Sequence, residues 1–169
     1  YVTCSEAQSL ANEMTPNSNY TSSLMFGIQW DLVCQYLEVK STLQTADINS
    51  NSSTWGNYHN VTITISSDKA KQTIDNGSSW TAITGTKPAS NVLLTTGASE
   101  ETNKMNIYDF AGNELEWTLE KSSNVKYPCV DRGGIYADTS NTYPSAYRDN
   151  SSILYNYIGI NFRPTLYKK

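Results

Sequence analysis

Charge is scarce in this chain of 169 residues: Asp, Glu, Lys and Arg make up 17%, and 16 acids against 12 bases leave a formal net charge of -4. A phosphate backbone would be repelled by that balance, so no nucleic-acid partner is expected. Long apolar runs are missing too. Apolar stretches break off within five to seven residues, far short of the roughly 20 that span a bilayer, so no membrane insertion is expected. Histidine occurs once, at His59, and one imidazole cannot build a histidine metal cluster. The three cysteines, Cys4, Cys34 and Cys129, are widely spaced without a CxxC, which fits neither a zinc site nor a full disulfide framework. One bridge plus one thiol, and three free thiols, both stay open. No GxSxG, P-loop or HExxH occurs. The chain opens at Tyr1 without an initiator Met or a basic-then-apolar leader, and reads as the C-terminal domain of a longer protein.

Small polar residues take the place of charge. Ser, Thr and Asn fill 57 of 169 positions, giving the polar, weakly charged surface found on many exported and virion proteins. Twelve Tyr and four Trp supply aromatic bulk for one core, so residues 1–169 are read as a single ordered domain. Thr3 and Glu6 have capping-box spacing, with Val2 as staple and Ala7, Leu10, Ala11 and Met14 at helical period behind them. After a Pro-, Asn-, Ser- and Thr-rich loop over 15–23, Trp30, Val33, Cys34 and Leu37 mark the face of a second helix starting near Gly27. Cys34 on that face reads as a buried small hydrophobe. Residues 49–60 are turn-rich. Val61, Ile63 and Ile65 then alternate with Thr as a half-buried strand does, and short apolar pieces follow at 80–83 and 92–94. Two helices followed by many short strands predict an α+β domain.

Five motifs follow in order: GIQWDLVCQYL at 27–37, STWGNY at 53–58, NIYDFAGNELEWT at 106–118, DRGGIY at 131–136 and IGINFRP at 158–164. Together they span nearly all of the chain, and the series resembles the formylglycine-generating-enzyme-like (sulfatase-modifying-factor) family. The resemblance implies a C-type-lectin-like fold, with two helices packed on a small irregular antiparallel sheet with long loops. Within these motifs Gly112 offers φ > 0 for a turn, and Glu116 would be costly to bury without donors. Arg132 and Arg163 suit scaffold roles, their planar forks tying irregular loops together. In some relatives a calcium ion sits near the Gly-Asn segment, which makes Asn113 and Glu116 candidate oxygen ligands. Otherwise no cofactor or metal is expected.

The family's namesake catalysts oxidise a cysteine with a copper-binding cysteine pair shortly after the Arg-Gly-Gly strand. Here Gly134 is followed by IYADTSNTYPSAYR, which has no cysteine. A second branch needs a histidine cluster for iron, and His59 stands alone in a turn. Glu114 and Glu116 would share a strand face but belong to the scaffold motif rather than to a glycosidase pair. No catalytic residue is assigned, and the chain is not expected to be an enzyme.

One further scarcity is local. Residues 133–167 contain no Lys, Glu, Gln, Trp or Met, although these types fill 27 of the first 132 positions. At that frequency about seven would fall in the window. Those five are the residues out of reach when only the adenines of an Asn codon are randomised. The window resembles the variable region of target proteins of diversity-generating retroelements, phage tropism determinants and bacterial surface proteins that use the same lectin-like fold. The resemblance makes 133–167 the variable-region candidate. It puts the ligand-binding face on Tyr136, Asp138, Ser140, Asn141, Tyr143, Ser145, Tyr147, Asp149, Asn150, Ser152, Tyr155 and Tyr157. Tyr gives contact area at low entropy cost, and Ser, Asn and Asp give adaptable hydrogen bonds, as in antibody loops. The competing reading is a Tyr-rich strand and a polar loop.

The function expected is therefore non-catalytic binding of a protein or glycan ligand on a target cell surface, as a receptor-binding protein of a virion (phage tail) or bacterial cell surface. The alternatives are a surface adhesin domain with a fixed ligand and an oxidoreductase of the resembled family. Oligomeric state is not assigned.

Overall fold

The computed structural model describes residues 1–15 and 17–169. In chain order the elements are α1 (Cys4–Glu13), β1 (Tyr20–Leu24), α2 (Gly27–Lys40), α3 (Thr45–Asn49), β2 (Ile63–Thr64), β3 (Lys71–Thr73), β4 (Thr81–Ala82), β5 (Thr86–Lys87) and β6 (Leu93–Leu94). A 3₁₀ turn (Glu100–Thr102) precedes β7 (Asn103–Lys104), β8 (Ile107–Tyr108), β9 (Leu115–Lys121), β10 (Cys129–Arg132), β11 (Arg148–Ser151), β12 (Ile160–Phe162) and β13 (Pro164–Lys168). The architecture is mixed α+β, with three helices and several small sheets among the described residues.

Helix α1 starts where its capping box predicts. The Thr3 amide donates to Glu6 Oε2 at 2.7 Å and the Glu6 amide to Thr3 Oγ1 at 3.3 Å. Its buried contact is narrower than the sequence period suggests. Ala7 and Ala11 are fully buried, whereas Leu10 is 43% and Met14 53% exposed. Two alanines one turn apart let the helix lie close on β1 and β9, and Met14 is already the C-cap. Helix α2 buries Trp30, Cys34 and Leu37 with Val33 half-buried, as its period predicts.

Three expectations are corrected. Among the described residues there are three helices, not two: α3 is a single turn, started by the Gln44 amide donating to Asp47 Oδ2 at 2.8 Å, and too short to show a period. The main sheet, in order β11-β10-β9-β12, is not purely antiparallel, because β12 runs parallel to β9 with Ile160 opposite Leu115 and Phe162 opposite Trp117. The long crossover that a parallel pair requires is residues 122–159, which carry β10 and β11. The expected loop over 15–23 contains most of β1, which pairs antiparallel with β13 from Tyr20 opposite Lys168 to Leu24 opposite Pro164. The part of that loop at Pro16 lies outside the described residues.

Two larger cores form, and only the first draws on the main sheet. Leu115, Trp117 and Cys129 join Ala7, Ala11, Ile135, Tyr136 and Ile160 on the α1 side. Trp30, Cys34, Leu37, Trp55, Tyr58 and Phe110 form the α2 core, with Trp30 stacked on Phe110 at 3.9 Å between centroids. A third, smaller core of Ile63, Ala70, Ile83, Val92, Leu94 and Ala98 lies under the short strands of the middle region.

Candidate functional site

Leaving β10, the chain enters a turn that only glycine can make. Gly133 has φ +80°, and a Cβ on Gly134 would sit 2.2 Å from the Tyr143 carbonyl oxygen and 2.4 Å from Tyr58 Cε1. The segment then runs outward, returns as the edge strand β11 and loops through 152–159 into β12. Below the turn, Arg132 is buried and ion-paired with Asp31, its guanidinium 5.9 Å from the Trp30 ring. Arg148 adds bonds of 3.5 Å to Asp31 and 2.8 Å to Glu120. The candidate segment is thus held from behind by α2.

Three of the twelve candidate residues face inward, which corrects the expected face. Ser140 donates through Oγ to Asn51 Oδ1 at 2.7 Å and through its amide to Asn60 Oδ1 at 3.0 Å. Ser145 donates through Oγ to the Ile48 carbonyl at 3.2 Å and through its amide to Ser52 Oγ at 2.9 Å, and its own carbonyl accepts from Trp30 Nε1 at 3.0 Å. Both serines are fully buried, and their polar groups are spent on the scaffold, on α2, α3 and the loop over 51–60. Tyr136 is 4% exposed and packs in the α1 core, its hydroxyl donating to Asn76 Oδ1 at 3.0 Å. A strong turn and core environment looks, in sequence, like any other Ser- and Tyr-rich stretch.

Four other tyrosines come together at the surface. Tyr143 and Tyr147 meet edge to face at 4.4 Å, and Tyr155 stacks on Tyr157 at 6.0 Å. Burial pushes the Tyr147 phenol up to about 12, with Asp149 and Tyr143 adding to the shift. Burial also raises Tyr155, with Tyr157, Asp131, Asp149 and Tyr143 adding to the shift, so the two pairs, Asp149 and the buried Asp131 are electrostatic neighbours. Tyr155 and Tyr157 are exposed and Tyr143 and Tyr147 half-buried. Asp149 lies on the tyrosine side of β11, and Asn150, one residue on, points to the opposite side with Arg148. Ser152 is half-buried after the strand, and Asp138 and Asn141 lie in the turn beside His59, whose amide donates to the Asp138 carbonyl at 2.9 Å.

Beneath the tyrosines sits Asp131, 1% exposed. Its Oδ2 accepts from Ser151 Oγ at 3.0 Å and its Oδ1 has no donor. Burial without a cation raises its pKa to about 7, with Asp149 adding repulsion.

The other candidates are scaffold. Arg163 grips Glu116 bidentately, Nε to Oε2 at 3.0 Å and Nη2 to Oε1 at 2.7 Å, and also donates to the Tyr108 carbonyl at 3.1 Å. Asn113 Oδ1 accepts from Asn57 Nδ2 at 2.8 Å and from the Leu94 amide at 3.2 Å, while Asn113 Nδ2 donates to the Leu94 carbonyl at 3.1 Å. Both side chains are thus engaged within the scaffold, Asn113 by Asn57 and Leu94 and Glu116 by Arg163. Among the described residues no three His, Cys, Asp or Glu side chains converge. His59 is exposed and pairs through Nδ1 with Asn91 Oδ1 at 2.6 Å. Cys4, Cys34 and Cys129 are free thiols. Burial raises Cys4 and Cys34 to about 12, far from a thiolate at neutral pH.

Sequence reasoning missed a cavity of about 340 Å³ next to Tyr136, walled by Tyr1, Asn76, Gly77, Trp80, Glu114 and Asn161 among others. Its residues come from five distant stretches, so no local motif could announce it.

No protein-family model matches the chain, and no curated protein sequence does. A solved structure titled Treponema denticola variable protein 1 is similar over 88% of this chain and 48% of its own, with a TM-score of 0.50 and 15% sequence identity. The chain therefore spans about half the length of that protein, and at this identity the likeness is one of fold.

Proposed function

We propose that the chain is a non-catalytic ligand-binding domain on a C-type-lectin-like scaffold, with a variable tyrosine face, as in the variable proteins of diversity-generating retroelements. The observation that carries this is a coincidence of position. The window lacking Lys, Glu, Gln, Trp and Met holds the surface patch of Tyr143, Tyr147, Tyr155, Tyr157 and Asp149. A likeness of fold to a protein titled a variable protein supports the same reading. The scaffold would stay constant through Arg132, Arg163, Glu116 and Asn113 while the face changes. Asp138, Asn141, Asn150 and Ser152 would form its margin, and the buried Tyr136, Ser140 and Ser145 would hold its frame. The ligand would be a protein or glycan on a target cell, and the domain would be displayed on a virion or bacterial surface. The resemblance to the formylglycine-generating-enzyme-like family belongs to the same proposal, as the source of the scaffold and not of an activity.

Two measurements test it. Sequencing the flanking DNA should find a near-copy of codons 133–167 that differs only where the copy has adenine, beside a reverse-transcriptase gene; its absence would leave a fixed-ligand adhesin as the better reading. In denaturant melts, Tyr155→Ala and Tyr157→Ala should each stay within about 1 kcal/mol of the parent, as free surface residues do. Tyr136→Ala should cost about 3 kcal/mol. Equal losses at all three would mean that the exposed pair is scaffold.

A further inference from the structure

Next to the buried Tyr136 is a cavity walled by Tyr1, Asn76, Gly77, Trp80, Glu114 and Asn161 among others. Its wall is held in a defined shape. Asn76 and Gly77 both have positive φ, 62° and 82°. The Gly77 amide donates to Thr73 Oγ1 at 2.9 Å, Asn76 Oδ1 accepts from the Tyr136 hydroxyl at 3.0 Å, and the Asn76 carbonyl accepts from the Tyr1 hydroxyl. Trp80 leans over this turn, its Nε1 4.0 Å from where a Cβ on Gly77 would lie.

The half-buried Glu114 contributes the charge. Its Oε2 accepts from Asn161 Nδ2 at 3.1 Å, and among the described residues no hydrogen bond reaches Oε1. Glu116, Glu120 and Asp31 each have an arginine, whereas Glu114 makes no ion pair. Partial burial of a carboxylate without a counter-charge is costly, and burial raises the Glu114 pKa, so a cation arriving from outside would be stabilised there.

We propose that this cavity is a binding site for a primary alkylammonium group, the side chain of a lysine on a protein partner. Val2, Leu93, Ile158 and Ile160 would line the methylene stem, and the Trp80 and Tyr1 rings would flank the ammonium. Lysine is favoured over arginine by Glu114 itself. With Oε2 engaged by Asn161, the carboxylate presents one free oxygen, which suits a point charge better than a bidentate fork. The site shares no residue with the tyrosine patch, although Ile158, Ile160 and Asn161 fall in the 133–167 window and must stay constant for the site to persist.

Trp80 provides the readout, being 41% exposed while Trp30, Trp55 and Trp117 are buried. Titrating the chain with Nα-acetyl-lysine methylamide should give a saturable change in Trp80 fluorescence and in its indole N–H resonance. The Nε-acetylated analogue, which lacks the charge, should give none, and the arginine analogue should bind more weakly. Glu114→Gln should weaken binding by about tenfold or more. Trp80→Ala, followed by amide resonances of Gly77 and Asn161, should weaken it by about threefold. Melting curves establish that each variant is folded, and Trp80, on the surface, serves if Glu114→Gln does not fold. Equal shifts with the acetylated analogue, or none with any amine, would overturn the proposal. Binding of 1,5-diaminopentane without binding of the lysine analogue would overturn its assignment to a protein partner.

Discussion

At the scale of single residues, Asp131 is the most consequential group under the tyrosine patch. Its pKa is raised from 3.8 to about 7 because the carboxylate is buried with one serine donor and no cation. The folded state therefore holds a proton that the unfolded state releases at lower pH. This group's contribution is unpenalised below pH 4, and stability falls as pH rises from about 4 to about 7. Three pKa units correspond to about 4 kcal/mol at full effect. Asp131→Asn removes the titration and keeps an acceptor for Ser151. In denaturant melts at pH 4.5 and 7.5, the parent should lose stability relative to the variant at the higher pH. An equal difference at both values would show that Asp131 titrates normally.

At the scale of elements, α1 shows how a local signal survives folding. Thr3 and Glu6 are legible because a capping box acts over four residues and needs no tertiary partner. Thr3→Ala should cost about 1 kcal/mol, read as a lowered denaturation midpoint with an unchanged slope. A negligible loss would mean that docking of Ala7 and Ala11 alone holds the helix. Strand β11 shows the opposite case. Its sequence, Arg-Asp-Asn-Ser, has no apolar alternation, and it exists because β10 offers an edge from Cys129 to Arg132. That edge also divides the candidates, placing Asp149 with the tyrosines and Asn150 on the α2 side.

At the scale of the molecule, the recurring motifs work as clamps between distant segments. Arg163, near the chain end, grips Glu116 of β9 and the Tyr108 carbonyl, while Arg132 of β10 grips Asp31 of α2. Glu116 is 8% exposed, so removing its partner strands a charge in a place where water cannot solvate it. Arg163→Ala should cost about 3 kcal/mol, and Arg163→Ala combined with Glu116→Leu should recover part of that loss in a double-mutant cycle. Simple additivity in the cycle would place the cost in lost packing rather than in the stranded carboxylate.

The features legible along the chain are those that short-range physics controls. The two long helices, the capping box of α1, the buried faces of Trp30, Cys34 and Leu37, and the scaffold roles of Gly112, Arg132 and Arg163 follow from period, spacing and the cost of burying charge. The depletion window was legible too, because it is a property of composition. Tertiary structure alone decided which members of that window are reachable. Ser140 and Ser145 are hydrogen-bonded inward to residues some 80 to 100 positions away in sequence, and Tyr136 fills the α1 core. It also decided the parallel pairing of β12 with β9, the single-turn α3, and the cavity that gathers Tyr1, Trp80, Glu114 and Asn161. Burial and charge neutralisation in these places depend on partners brought from far along the chain, and spacing along a strand or helix carries no record of them.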